Sequence, residues 1–417
     1  MSLKSLYEVF KKVRPTLVFI AFTLFVISWV MKYGAPGGYE NGLFWADASR
    51  YIAIVIIAIG QPISFRKNIA MIGLWLFYNL YEFILVVTGI YTNQVQQIGA
   101  YLLDVALYVF MAIALSTSLS KNINLLWSSV QIGLTVSLGW MAILFHSYLM
   151  TYIPDLLLGV FNNNRVARVG IGFYNVNILG GLSGILIFVS LVNVFRNKFR
   201  YSSVITTVFG IYLLLNSGTR SAMLALVTTL LVFVVLVVAR NYRPVLNYLL
   251  PMFFFFAQFF YGLFMGIINP KSGIANTVSS LTSRRSELGS IAFEQMNDYS
   301  KLLFGTGMRT QADIRGAFFP DWQGNYGLDG EPQWFIFTTG VIGGLVTLLI
   351  VAYAMNRVAK VSMSGFLFMA YFGTIMMFEH VFFNSQSVSG ASGLLLTVMF
   401  ITLMGDTELV TFRRRHV

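Results

Sequence analysis

Long apolar runs separated by short polar connections dominate the hydrophobic pattern of this chain. A helix needs about 20 apolar residues to cross the hydrocarbon core of a bilayer. The pattern therefore predicts an all-α polytopic membrane protein with about twelve transmembrane helices. We place the predicted spans at residues 15–32, 50–64, 68–91, 97–119, 124–147, 172–195, 201–216, 220–240, 246–268, 334–356, 361–384 and 388–405.

The residues ahead of the first span have a helical pattern of their own. Leu3, Leu6, Phe10 and Val13 share one helical face, and lysines occupy other faces. This spacing predicts a short interfacial helix over residues 1–14 that lies on anionic lipid and ends where Pro15 opens the first span.

One stretch, residues 269–333, is polar in a chain that is otherwise apolar. It has no apolar run long enough to cross a bilayer, and it separates spans nine and ten. Loops of this length and charge are more often functional than simple connections. We therefore expect a single transmembrane domain over residues 1–417, with 269–333 as an inserted loop. Its charged residues are Lys271, Arg284, Arg285, Lys301, Arg309 and Arg315 together with Glu287, Glu294, Asp298, Asp313, Asp321, Asp329 and Glu331.

Composition agrees with this fold class and excludes several functions. The chain is 57% hydrophobic and 11% charged, whereas soluble domains carry about 25% charged residues. The net charge of +12 does not indicate nucleic-acid binding, because basic residues mark the cytoplasmic loops of membrane proteins. The absence of cysteine and the presence of three scattered histidines predict neither disulfides nor a metal site. No cofactor is expected.

The distribution of lysine and arginine predicts the orientation. With the N-terminus in the cytoplasm, the inner loops and termini hold 17 of the 28 basic residues. Short cytoplasmic loops are enriched in such residues. Both termini are therefore predicted to be cytoplasmic, and the long loop is predicted to face the periplasm or exterior. The inner set is Lys4, Lys11, Lys12, Arg14, Arg66, Lys67, Lys121, Arg196, Lys198, Arg200, Arg240, Arg243, Arg357, Lys360, Arg413, Arg414 and Arg415.

Arginines on the outer face are the first candidate for chemistry. This topology directs the N-termini of spans six, eight and ten outward, and helix N-termini attract anions. Arg220 is the only charge in the tight turn before span eight, where Ser217 or Thr219 can cap the helix. A guanidinium at such a turn suits a phosphate or diphosphate. For Arg220, the alternative is a side chain that reaches lipid headgroups. For Arg168, before span six, the alternative is an ordinary loop arginine.

Acids and one histidine on the same face are the second candidate. Asp104 lies in the outer half of span four, and an ionisable residue within a membrane indicates a functional site. Glu379 and His380 lie near the outer end of span eleven and could deprotonate a hydroxyl or position a sugar. Asp329 and Glu331, which end the long loop, could supply a base or anchor the loop. For Asp104 the structural alternative is a neutral acid or a local salt bridge lining a polar cavity, and for Glu379 and His380 it is an interfacial hydrogen-bond cluster.

Four motifs on this face, taken together, resemble the O-antigen polymerase and ligase superfamily of bacterial envelope glycosyltransferases. The first is Arg168–Gly181 with its Asn175-Val-Asn177, and the second is Ser217-Gly-Thr-Arg220-Ser-Ala-Met-Leu-Ala-Leu. The third is Arg285-Ser-Glu-Leu with Leu303-Phe-Gly305-Thr-Gly307, and the fourth is Thr339-Gly340-Val-Ile-Gly343. The resemblance covers residues 165–400 and rests on the order and spacing of the motifs.

The resemblance implies a metal-independent enzyme in the bacterial cytoplasmic (inner) membrane, with its active site facing outward. It would transfer a glycan from undecaprenyl diphosphate to another lipid-linked repeat unit, building O-antigen, capsule or exopolysaccharide. Implied partners are undecaprenyl-diphosphate-linked glycans, the lipid bilayer and a polysaccharide co-polymerase that sets chain length. The candidate residues are Arg220, Arg285 and Arg168 for the diphosphate, Asn175, Asn177, Asp104 and Arg284 for the glycan, and Glu379, His380, Glu331 and Asp329 for catalysis.

The chain departs from the family pattern in two places, and the second departure favours a Wzy-type repeat-unit polymerase over a ligase. The aromatic residue expected four positions after Arg285 is Gly289, and Asp329-Gly-Glu-Pro-Gln replaces the His-Asn pair that ligase-like members tend to have. A ligase that transfers glycan to lipid A core remains the first alternative. The second is a lipid or polysaccharide transporter, a class that often shows inverted repeats and charges at the midplane of the membrane.

Overall fold

The computed structural model describes residues 3–34, 52–53, 55–56, 123–149, 169–173, 176–196, 200–267, 293, 296, 298–305 and 330–379. This part of the chain is helical and contains no β-strand. Its α-helices are α1 (Leu3–Gly34), α2 (Ile123–Leu144), α3 (Val176–Phe195), α4 (Arg200–Ser217), α5 (Arg220–Val238), α6 (Arg243–Ile267), α7 (Tyr299–Phe304), α8 (Glu331–Val361) and α9 (Met363–Phe378).

Eight of the twelve predicted spans have a helix in the described part of the chain: α1 to α6, α8 and α9. Within the described residues, five segments are long and apolar enough to cross a membrane, namely Leu125–Leu144, Val176–Phe195, Arg220–Val238, Arg240–Phe264 and Thr339–Lys360. The protein is therefore a helical membrane protein. Predicted spans 68–91, 97–119 and 388–405, and all but four residues of 50–64, lie outside the described residues.

The N-terminal helix differs from the prediction. A separate interfacial helix ending before Pro15 was expected, but α1 runs without interruption from Leu3 to Gly34 and contains Pro15. Proline removes one backbone hydrogen bond, yet its φ near −65° is helical. The bond lost at Pro15 is outweighed by the packing of the apolar turns that follow, where Phe22 and Phe25 are buried and stack with centroids 6.1 Å apart.

The contacts divide the chain into two compact units. Unit 1 contains α1 to α4 and α5 as far as Leu231. Its helices approach closely at small residues: a Cβ on Gly133 of α2 would lie 2.8 Å from Val26 of α1, and one on Gly210 of α4 would lie 2.8 Å from Ile187 of α3. Small residues at helix crossings allow the backbone–backbone proximity on which packing within a bilayer depends.

A buried polar network joins α2, α3 and α4 within unit 1. The Gln131 carboxamide nitrogen donates to the hydroxyls of Ser203 (3.1 Å) and Thr206 (2.8 Å), and Asn193 donates to the Gln131 carboxamide oxygen. Ser190 pairs with Thr206 at 2.8 Å. The network explains why α4, which carries Ser203 and Thr206, is absent from the most apolar segments although it is helical. Such interhelical hydrogen bonds contribute about 0.6 kcal/mol each in membranes.

Unit 2 contains the rest of α5 and α6 to α9. The Gln258 carboxamide of α6 donates to the Gly373 carbonyl of α9 at 2.8 Å. Near the other end of α6, Asn356 of α8 donates to the Asn247 carbonyl at 2.8 Å, and Lys360 donates to the Tyr248 hydroxyl at 2.7 Å. These bonds fix α6 against α8 and α9 along most of its length.

Candidate functional site

The turn that carries Arg220 combines two buried hydroxyl residues, Ser217 and Thr219, with one exposed cationic residue. Gly218 has a φ of +59°, which favours glycine. The Ser217 hydroxyl donates to the Leu214 carbonyl (2.7 Å) and accepts from the Thr219 N–H (3.3 Å). Ser217 and Thr219 are 0% and 1% exposed, whereas Arg220 is exposed. The turn therefore fixes the start of α5 and leaves Arg220 at the surface.

The segment that follows Arg168 packs on this turn. The Val169 N–H donates to the Asn216 carbonyl at 3.0 Å, and the Phe173 N–H donates to the Gly170 carbonyl at 2.9 Å. Ile171 and Gly172 both have positive φ, at 39° and 86°. Positive φ is strained for a β-branched residue, and burial of the Ile171 side chain, which is 2% exposed, offsets that strain. The backbone of the first motif is thus bonded to Asn216, the residue directly before the second motif.

Thr219 connects the N-termini of α3 and α5. Its hydroxyl donates to the Val176 carbonyl, in the first residue of α3, at 3.2 Å. A Cβ on Gly180 would overlap the Thr219 side chain, so only glycine allows this approach. Asn177 is the second residue of α3 and is half-buried, and Arg220 is the first residue of α5. Two positive helix ends therefore meet, with predicted site residues at both.

Adjacent glycines provide a matched test of this junction. We expect Gly180→Ala to lower the apparent melting temperature of the purified protein by about 2–6 °C, because overpacking costs about 1–3 kcal/mol. Gly181→Ala is the control, since a Cβ there meets no atom within 4 Å and alanine favours the helix. Equal melting temperatures for the two variants would show that α3 and α5 do not meet closely at Thr219.

In unit 2, the third and fourth motifs also meet. Helix α8 is kinked at Gly340, whose φ of 72° and ψ of 178° are not helical. A Cβ on Gly340 would overlap the Leu303 carbonyl and the Phe304 amide at the end of α7. Helix α7 is capped by Asp298, which accepts from the Ser300 N–H at 3.1 Å, and this bond holds the pKa of the exposed Asp298 carboxyl below its usual value. Part of the long polar stretch is therefore a short helix seated on the kink of α8.

Two of the predicted catalytic acids, Glu331 and Glu379, are among the described residues. They lie on segments of unit 2 whose backbones are in contact. Glu331 is the first residue of α8, and Glu379 ends α9 with its N–H bonded to the Ile375 carbonyl at 2.8 Å. A Cβ on Gly330, next to Glu331, would lie 2.7 Å from the carbonyl of Met377, two residues before Glu379. The structure thus brings the backbones at the two acids to one end of unit 2.

Several other predicted site residues lie outside the described part of the chain. They are Arg168, Asn175, Asp104, Arg284, Arg285, Asp329 and His380. Within the described residues, no group of three or more His, Cys, Asp or Glu could hold a metal ion. Gln333, a fully buried glutamine in the first turn of α8, was not among the predicted site residues. A lone carboxamide at the start of an apolar run was the signal that could have identified it.

Comparison of the whole chain with models of known protein families and with curated proteins gives no match. Support for a function therefore comes from the motifs, from the contacts between them and from the chemistry of their residues.

Proposed function

We propose that the protein is a polysaccharide polymerase that joins undecaprenyl-diphosphate-linked repeat units on the outer leaflet of the bacterial cytoplasmic membrane. The observation that carries the proposal is the junction of two helix N-termini, α3 and α5, beside the exposed Arg220. Each N-terminus carries about half a positive charge from the helix dipole. With an arginine, they suit a dianionic diphosphate more than a neutral ligand.

The proposed reaction breaks the bond between the anomeric carbon of one glycan and its diphosphate oxygen. The leaving diphosphate takes the electron pair, and a hydroxyl of the second lipid-linked glycan forms the new glycosidic bond. Because the negative charge develops on the leaving group, fixed cations and helix dipoles stabilise the transition state without requiring a metal ion. The hydroxyl proton passes to a carboxylate or imidazole, and the candidates are Glu379, Glu331, Asp329 and His380.

The proposed topology has twelve spans, cytoplasmic termini and residues 269–333 outside. Basic residues at helix ends support it: Arg196 follows α3, Arg200 begins α4, and Arg357 and Lys360 lie near the end of α8. These residues are at the opposite helix ends from Arg220 and Glu331, as an inner basic face requires.

Reporter fusions test this orientation. A fusion at Arg243, between spans eight and nine, is expected to report the cytoplasm, and one at Gly324, in the long loop, the exterior. Reports from the same side of the membrane would refute the charge argument.

Deletion of the gene tests the activity and separates the alternatives. Loss of a polymerase should leave glycans one repeat unit long, still transferred to their final acceptor, whereas loss of a ligase leaves the acceptor bare. Gel analysis of surface glycans distinguishes these patterns. A transporter would move substrate across liposomes without forming glycosidic bonds, and that result would contradict the proposal.

A further inference from the structure

The side chain of Gln333 is buried without satisfying its hydrogen-bonding groups. The residue is 0% exposed, and among the described residues neither its carboxamide nitrogen nor its carboxamide oxygen has a hydrogen-bond partner. Buried polar side chains are nearly always paired, because an unpaired group loses its bonds to water without compensation. An exception of this kind requires an explanation.

The position of Gln333 within the helix indicates a ligand. It is the third residue of α8, after Gly330 at the N-cap, and the described structure shows no side-chain hydrogen bond capping this end. Glycine has no side chain with which to cap, and Pro332 contributes no N–H. The first turn therefore contains the backbone N–H groups of Glu331 and Gln333, which have no partner within the helix, and it also carries the Gln333 side chain. Two independent features thus leave hydrogen-bonding capacity in the same helical turn.

The surrounding helices hold this turn in position. A Cβ on Gly262 of α6 would lie 3.1 Å from the Cβ of Pro332, and one on Gly330 would lie 2.7 Å from the Met377 carbonyl of α9. Tyr261 of α6 contacts Phe378 of α9 edge to face, with centroids 5.6 Å apart. The first turn of α8 therefore lies where three helices of unit 2 converge.

Gln258 of α6 is a buried glutamine with a structural role in the same unit, and it can be compared with Gln333. It is also buried, and its carboxamide donates to the Gly373 carbonyl at 2.8 Å. Gln258 therefore joins α6 to α9, whereas the Gln333 carboxamide joins its helix to nothing among the described residues.

We infer that Gln333 binds a neutral sugar of the acceptor glycan, through a hydroxyl or acetamido group that fills both its donor and its acceptor capacity. This inference rests on the proposed function. A carboxamide accepts and donates at once, as a sugar hydroxyl does. An anionic ligand is disfavoured because Glu331 lies in the same turn and Glu379 follows the end of α9 that packs on it. The acceptor hydroxyl must also reach a base, and these acids are the candidates at this end of unit 2.

Because the Gln333 carboxamide is fully buried, sugar binding at this residue would be selective. A sugar lacking the required group would leave Gln333 unpaired, and sites that hydrogen-bond a substrate hydroxyl reject analogues without it by large factors. Gln333 would then select which repeat unit is extended.

The test compares Gln333→Met with Gln258→Met, a matched change at the paired glutamine. The full chain is assayed in nanodiscs with lipid-linked repeat units extracted from a strain that lacks this gene. We expect Gln333→Met to raise KM for the repeat unit about tenfold or more, the effect of one lost hydrogen bond in a dry site. Its melting temperature should equal or exceed that of the wild type, because methionine removes unpaired polar atoms. Gln258→Met should melt at a lower temperature and keep its KM.

An unchanged KM for Gln333→Met would overturn the inference, and so would a melting temperature as low as that of Gln258→Met, which would show a structural role. If Gln333→Met does not fold, Gln333→Asn, which keeps the amide on a shorter side chain, must raise KM instead. Arg220→Ala in the same assay separates the two proposals. An inactive Arg220→Ala beside a normal Gln333→Met refutes only the sugar subsite, whereas a wild-type protein that forms no polymer in this assay refutes the polymerase.

Discussion

Replacing Arg220 by alanine is expected to reduce the rate of polymer formation by tenfold to a hundredfold or more. A charge-assisted hydrogen bond to a diphosphate contributes about 1.5–3 kcal/mol, and each 1.4 kcal/mol corresponds to about a factor of ten in rate. Arg220 is exposed, and the turn that carries it is held by the buried residues Ser217 and Thr219. The fold should therefore tolerate the change. Polymer length on lipid-linked repeats is the measurement, with protein level checked by blot.

Two further variants make this result specific. Arg220→Lys keeps the charge but loses the planar fork that binds two oxygens, so it should recover only part of the activity. Arg200→Ala is the control: Arg200 is an exposed arginine at the first residue of α4, at the opposite end of that helix from the Arg220 turn. Full-length polymer from Arg220→Ala at normal expression would remove this residue from the mechanism.

The second large effect is expected at Gly340, where alanine should strongly destabilise the fold. A residue with a side chain is strained at φ 72° and ψ 178°, at a cost of about 1–3 kcal/mol. The added Cβ would also overlap the backbone of Leu303 and Phe304, which cannot move aside as a flexible side chain can. We expect Gly340→Ala to be depleted from membranes or to melt well below the wild type, by about 5 °C or more.

Gly139→Ala is the matched control for Gly340→Ala. Gly139 lies in α2, where an added Cβ meets no atom within 4 Å, so its melting temperature should remain within about 1 °C of the wild type. A Gly340→Ala protein that accumulates and melts normally would show that α7 does not rest on the kink of α8.

Sequence reasoning located the helices well because membrane spans have a strong signal. The apolar runs at 220–240 and 246–268 correspond to α5 (Arg220–Val238) and α6 (Arg243–Ile267). An apolar run of this length has few alternatives to a helix in a bilayer. It was wrong at Pro15, where a helix continues through a residue that usually ends or kinks one. Local propensity is a weak guide when packing outweighs it.

The contacts that build the site could be predicted less well. The turn at Gly218 and Arg220 was visible as a charge between two apolar runs, and the predicted topology placed the N-termini of spans six and eight on the same side of the membrane. The hydrogen bond from Thr219 to Val176 and the seating of Leu303 on Gly340 join residues far apart in sequence. Spacing along a chain does not encode such contacts, and the same holds for the unpaired carboxamide of Gln333.

The polymerase proposal is tested most directly by supplying purified protein in nanodiscs with lipid-linked repeat units as the sole substrate, in the presence of a metal chelator. The account predicts glycans of two or more repeat units, with one undecaprenyl diphosphate released for each bond formed. It also predicts that Arg220→Ala slows both products equally. Repeat units that stay single, or that lengthen only when a divalent metal or a nucleotide sugar is added, would contradict it.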